Sequence, residues 1–115
     1  MIPSIISYDT STITITRHTK VQNAGGFSWT ETTLDAITAR VYQYSTRNMR
    51  EVTIPEGEVK TITHGLLVDG QANIAVGHDS YDTFVYNGRT FRIVGIRYYD
   101  DSNIDNHTQA DCVAS

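Results

Sequence analysis

Residues Asp82 to Tyr99 read DTFVYNGRTFRIVGIRYY. Two runs of β-branched and aromatic residues flank Asn87-Gly88, the dipeptide best suited to the two positive-φ positions of a type I′ turn, whose twist matches that of paired strands. The stretch therefore predicts a β-hairpin. A two-residue loop sets its register, with Tyr86 opposite Arg89, Val85 opposite Thr90, Phe84 opposite Phe91, Asp82 opposite Ile93 and Tyr81 opposite Val94. The same register puts Phe84, Tyr86, Phe91 and Ile93 on one face and Tyr81, Val85, Val94, Ile96 and Tyr98 on the other. Neither face is plainly polar, although a small single sheet normally solvates one of them. One face is expected to fill a barrel or sandwich core. The other is expected to be covered by an N-terminal arm or a neighbouring subunit, the plainer alternative being ordinary surface tyrosines and valines.

The 115 residues suffice for one domain, residues 1–115, and are too few for a second core. Abundant Thr and Tyr with scarce Leu and Ala point to strands. No apolar run approaches membrane-spanning length, and Met1 to Asp9 lacks the basic region and apolar stretch of a signal peptide, so residues 1–10 read as a flexible arm and synthesis as intracellular. Cys112 is the only cysteine, so no intrachain disulfide forms; within QADCVA it reads as a small buried hydrophobe of a last strand rather than a nucleophile. The net charge of −4 is uneven: five bases and five acids up to Gly57, four bases and eight acids from Glu58 onward. Seven of the nine cations are Arg, but they are dispersed, which argues against tight phosphate-driven DNA binding.

Working outward from the hairpin, Ser11 to Thr16 (STITIT) alternates with period two and predicts a strand with Ile13 and Ile15 on one face. Arg17 to Gly26 loses periodicity and ends in the turn signal Asn23-Ala24-Gly25-Gly26, which leads into a short strand anchored by Phe27 and Trp29. Asp35 to Tyr44 predicts a third strand, with Ile37, Ala39 and Val41 alternating against Thr38, Arg40 and Tyr42. Tyr44 to Glu58 reads as a long excursion, with a short strand at Val52 to Ile54, Pro55 and Gly57 marking irregular backbone, and poor fixation in an isolated subunit. Val59 to Val68 returns to the sheet with Gly65 as a bulge or bend, Asp69-Gly70 turns, and Asn73 to Val76 forms a brief strand. The expected fold is all-β: a small barrel or sandwich of about six to eight mostly antiparallel strands, with no amphipathic helix and no internal repeat.

Chemistry-bearing motifs are few. Asp101, Asn103 and Asp105 match the first half of a calcium loop, but its sixth position is Asn106 instead of Gly and its twelfth is Cys112 instead of Glu, so the motif reads as a short acidic loop. His18, His64, His78 and His107 lack ligand spacing; His78 beside Asp79 and Asp82 is the only local cluster. Neither a nucleophile elbow nor a Gly-rich phosphate loop is present. The chain is expected to be no enzyme and to carry no metal or cofactor.

The segment ANIAVGHDSYDTFVYNGRTFRIVGIRYYDD resembles a signature of tailed-phage head-closure (stopper) and head–tail connector proteins: a short strand, Gly77-x-Asp79, an aromatic strand, a Tyr-Asn-Gly turn and a strand of alternating Phe-x-Ile-Val-x-Ile. Upstream, the first strand, FSWTE, an Ala-Arg-Val strand and the long loop follow the same layout. The family's Arg-rich strand after that loop has no counterpart in VKTITHGLLV, which leaves the neck position open. The resemblance implies a β-barrel connector domain and a homomeric ring, about six or twelve copies, at the portal vertex of a virion assembled in the host cytoplasm. It also implies portal or adaptor and tail terminator or tail tube proteins as partners, with no membrane contact.

In that family the loop comparable to Tyr44–Glu58 reaches into the channel, so Arg47, Asn48, Arg50, Glu51, Glu56 and Glu58 become gating candidates. Two cations against three Glu would touch packaged double-stranded DNA only loosely. Tyr81, Val85, Val94, Ile96 and Tyr98 become the candidate subunit interface. Tail-completion, tail-terminator and minor capsid proteins share this small barrel, and a peptide- or carbohydrate-binding module using Trp29 and the tyrosines is the alternative of another class.

Overall fold

The computed structural model describes residues 11–70, 72–99 and 106–114. The expected N-terminal arm and the Asp101, Asn103 and Asp105 loop lie outside them. The described residues form the strands β1 (Ser11–Ile13), β2 (Thr16–Asn23), β3 (Gly26–Thr33), β4 (Ile37–Gln43), β5 (Arg50–Thr53), β6 (Val59–Asp69), β7 (Ser80–Tyr86), β8 (Arg89–Tyr99) and β9 (His107–Ala114). All belong to one antiparallel sheet of order β1-β4-β6-β9-β8-β7-β2-β3, with β5 added on β6.

The STITIT segment explains how this sheet curls. Its alternation buries Ile13 and Ile15 as expected, but the strand breaks at Thr14-Ile15 and changes partners: β1 pairs with β4, whereas β2 pairs with β7 and β3. One stretch of chain thus ties the two ends of the sheet, β1 comes to lie against β7, and the sheet closes into a half-barrel. Its interior holds Ile13, Ile15, Val41, Leu66, Phe84, Phe91 and Ile93 among others, with Cys112 fully buried.

The hairpin forms as predicted. Asn87 and Gly88 take φ values of 52° and 76°, and the rungs Tyr86/Arg89, Val85/Thr90 and Phe84/Phe91 follow. The two Phe rings stack with centroids 5.5 Å apart. Beyond Thr83/Arg92 the expected Asp82/Ile93 and Tyr81/Val94 rungs are absent from the ladder. At that point Tyr81 bridges Val76, and the Asp82 N–H donates to the Ala75 carbonyl at 3.0 Å, so residues 75–76 occupy the edge of β7 that β8 was expected to take. Asn73 to Val76 contributes this single bridge in place of a strand.

A bulge in β8 changes the face assignment as well. Ile93 pairs with Cys112 but Gly95 pairs with Asp111, so one extra residue at Val94 flips the phase of everything after it. Ile96 and Tyr98 therefore stand opposite Ala110 and Thr108 on the concave side, while Tyr81 and Val85 remain on the convex side. The single face expected from Tyr81, Val85, Val94, Ile96 and Tyr98 does not exist.

Three other expectations change. Arg17–Gly26 is mostly strand β2, aperiodic because much of it is paired in a hairpin that covers no core. The bulge expected at Gly65 falls between Ile62 and His64. Gly65 keeps its register opposite Tyr42, whose ring lies so close over it that a Cβ there would collide. The Tyr44–Glu58 excursion contains a 3-10 turn at Thr46–Asn48 and then β5, which starts two residues before the short strand expected at Val52.

Phe91→Ala should cost about 3–5 kcal/mol, the range for emptying a buried aromatic site, whereas Tyr98→Ala should change stability by less than about 0.5 kcal/mol as an exposed substitution. Urea unfolding midpoints of the two variants check the burial of Phe91 and the exposure of Tyr98. A large loss in Tyr98→Ala would contradict the exposure of that residue.

Candidate functional site

Asp82 lies on the core side of β7 and is completely buried. A bare carboxylate there would be costly, and it is satisfied from three directions. Arg17, its cross-strand partner on β2, donates Nε to Oδ1 and Nη2 to Oδ2, both at 2.9 Å, and the Ala75 N–H donates to Oδ2 at 2.8 Å. Arg17 Nη2 also reaches the Asn73 carbonyl at 3.1 Å. The hydrogen bond to Asp82 raises the Arg17 pKa. This fork fixes the root of the β2/β3 hairpin to the barrel.

Beyond that root the hairpin leaves the barrel. The last bond to its neighbour is from the Lys20 N–H to the Asp79 carbonyl at 2.8 Å; from Val21/Ser28 to Asn23/Gly26, β2 and β3 pair only with each other. Three residues at about 3.3 Å each give a tip about 10 Å long. Every residue of β3 is exposed, and the described residues extend 55 Å along one axis against 31 and 28 Å along the others.

The convex side of this arm carries a continuous aromatic stripe. Phe27 meets Trp29 edge-on at 6.1 Å, Trp29 meets Tyr81 at 5.2 Å, and His18 stacks on Tyr81 at 4.6 Å. Cations cover it: Lys20 Nζ lies 4.3 Å from the Phe27 centroid and the Arg92 guanidinium 3.8 Å from that of Tyr81, distances at which ring quadrupoles attract charge. Phe27 nevertheless remains 55% exposed.

The stripe runs into a groove of about 520 Å³ floored by Tyr81, Val85, Arg92 and Val113. His18 and Glu31 at the arm root form one wall. Ile54, Glu56, Glu58 and Lys60 form the other. This second wall is the segment expected to hang free, and it is instead strapped across the convex side. Ile54 is buried, Glu56 accepts both Arg92 Nη groups, Arg50 donates to Asp111 at 2.6 Å, and Lys60 lies 3.5 Å from Glu58.

Asp111 anchors the strap's far end. Burial raises its pKa, but hydrogen bonds from Tyr44 and Arg97 and the charges of Arg97 and Arg50 prevail, leaving the carboxyl below its ordinary value. Burial, then the bond to Asp111, holds the Tyr44 phenol well above its usual range. The hydrogen bond from Arg92 likewise outweighs burial in lowering the Glu56 pKa.

Of the gating candidates, Arg50, Glu56 and Glu58 are engaged in these ion pairs, and Arg47, Asn48 and Glu51 are exposed. Of the interface candidates, Tyr81 and Val85 meet in the groove, while Ile96 and Tyr98 lie on the concave side. Phe84, Phe91 and Ile93 are core, Tyr86 packs beside them, and Asn87 and Gly88 form the exposed turn.

His78 contacts Asp79 at 3.2 Å, but Asp82 is turned away into its fork with Arg17. Burial and the neighbouring Asp111 raise the Cys112 thiol pKa, which removes its nucleophilic character. Among the described residues no group of three His, Cys, Asp or Glu gathers to hold a metal, and no helix is long and apolar enough to cross a membrane. Sequence reasoning missed Lys20, Arg92 and Asp111; the one available signal was the pair of large aromatics, Phe27 and Trp29, in a segment with no other apolar periodicity.

No protein-family model and no curated protein matches the sequence. Among solved structures the chain is similar in fold to a chain of the virion of a native gene transfer agent (GTA) particle, with a TM-score of 0.51 and 16% identity over 87% of this chain and 90% of that one.

Two measurements test the anchors. Asp82→Ala should cost about 3 kcal/mol, because it leaves the Arg17 charge and the Ala75 N–H without their partner. Asp111 and Glu56 titrate lower in the folded chain than in the unfolded one, so their stabilisation is complete above the ordinary carboxylate pKa of about 4. It is lost as pH falls through the folded values. The urea midpoint should therefore drop below about pH 4, and Asp111→Asn should lower it at pH 7 while flattening the acid limb. An unchanged acid limb in that variant would remove Asp111 from the account.

Proposed function

We propose that this chain is a non-enzymatic structural subunit of a tailed-phage-type virion: a head-closure (stopper) ring between the portal or adaptor and the tail, which retains packaged DNA and docks the tail. The observation that carries this reading is the freestanding arm. An isolated two-stranded hairpin is marginal in water, and one presenting Phe27 and Trp29 on a face without a core beneath its tip is built to be completed by another molecule. The fold likeness to a chain of the GTA virion particle supports a virion context, as does the hairpin signature shared with the connector family.

In this reading the strap does not swing into the channel as a loose loop, since Ile54, Glu56 and Arg50 hold it to the barrel. The part left to meet DNA is its exposed end with Arg47, Asn48 and Glu51. One cation against one carboxylate lets phosphates pass without a tight grip. A tail-completion or tail-terminator ring would use the same barrel and arm. The groove favours one reading of another class, a peptide-binding module, because Tyr81, with Trp29 packed against it, and the polar walls offer a seat for an extended chain.

The deciding experiment adds the purified protein to DNA-filled, portal-bearing heads that lack it, with light scattering on the free protein in parallel. The expected result is a homo-oligomer, free or on heads, together with DNA retention and tail attachment. A protein that stays monomeric in both settings, leaving the heads leaking, would overturn the proposal.

A further inference from the structure

The β2/β3 arm and the strap are joined through one buried cation. Arg92 is 8% exposed, and its guanidinium is shared between two elements. From the strap, the Glu56 carboxylate accepts both Nη groups. From β7, Tyr81 presents its ring 3.8 Å from the guanidinium carbon. Tyr81 is held in turn by the arm, through the edge of Trp29 at 5.2 Å and the stacked His18 ring at 4.6 Å, and Phe27 meets Trp29 at 6.1 Å. A buried charge tolerates little displacement from its partners, so a shift of Tyr81 re-aims the guanidinium away from the two-pronged geometry that Glu56 requires.

A second link runs through the electric field. The hydrogen bond from Arg92, acting against burial and aided by the charges of Arg92, His78 and Lys20, holds the Glu56 carboxyl below its ordinary value. Lys20 belongs to the arm, where its Nζ lies 4.3 Å from the Phe27 centroid. Glu56 thus senses the arm by contact through Arg92 and by charge from Lys20.

We infer that arm and strap form one coupled unit, in which the packing of Trp29 on Tyr81 sets how firmly Glu56 holds the strap to Arg92. Coupling between two sites is reciprocal, so release of Glu56 loosens the arm root by the same factor. The strap is suited to local opening. The Glu56 side chain is 46% exposed, and its turn is closed by bonds of its own, from the Ile54 N–H to the Glu58 carbonyl at 2.9 Å and from the Gly57 N–H to the Ile54 carbonyl at 2.8 Å. Lifting that turn leaves the β5/β6 ladder from Arg50/Ile62 to Thr53/Val59 in place. The coupling lies within a single chain and stands whether or not the ring reading holds.

The test follows the Glu56 carboxyl of the full chain by NMR titration, since its midpoint reports the bond to Arg92. Trp29→Ala should raise that midpoint by about 0.5 pH unit, a roughly threefold weakening of the bond. Trp29→Leu, which keeps bulk at the site, should act in the same direction. Trp29 lies outside the core, so the barrel persists in both variants. In Arg92→Gln the Glu56 midpoint should rise unaided, and the further effect of Trp29→Ala should shrink to the small part carried by Lys20. A midpoint unmoved by both Trp29 variants overturns the inference. So does a Trp29→Ala effect that persists in full without Arg92.

Discussion

The two-pronged bond between Arg17 and Asp82 is the constraint on which the architecture depends. It sits where β2 leaves the closing strand, β7 begins and the 72–77 segment crosses, so one buried carboxylate fixes the barrel seam, the arm root and the irregular connection together. Burying a charge is unfavourable unless it is fully paired, and here each Asp82 oxygen has a donor. An apolar pair could fill the same volume. It could not hold the Ala75 N–H and β2 at one point, and the arm would lose its direction.

Two bulges turn an ordinary sheet into one with two working sides. The irregularity between Ile62 and His64 sends Ile62 to the convex side with Val113 while His64 packs against Phe91 in the core. The one between Ile93 and Gly95 places Asp111 and Arg97 together on the convex side. The convex surface therefore acquires anchors for the strap, and the strap makes the second wall of the groove. Arg92 links the parts: it donates both Nη groups to the Glu56 carboxylate, covers Tyr81 and floors the groove.

A subunit of the proposed ring has to be stable alone and incomplete alone. The barrel supplies stability through a continuous core. The arm supplies the incompleteness, an aromatic face held at a fixed angle by a rigid root. A flexible loop could carry the same residues, but it would lose more conformational freedom on docking.

The hairpin at Asn87-Gly88, the Phe84/Phe91 pair, the burial of Ile13, Ile15 and Cys112 and the all-β class were legible in the sequence. Each follows from local rules, turn chemistry and period-two alternation, that act over a few residues. The partner change at Thr14-Ile15, the bulge at Val94 and the strap's ion pairs were not legible. Alternation says which residues share a face only while the register lasts, and one inserted residue, whose position depends on the neighbouring strand, reverses it. Arg17 and Asp82 lie 65 residues apart and Glu56 and Arg92 lie 36 apart, with nothing local to announce either pair. The arm shows the same limit from the other side: the outer part of β2 is aperiodic because it covers no core, and only the tertiary structure could distinguish that from a loop.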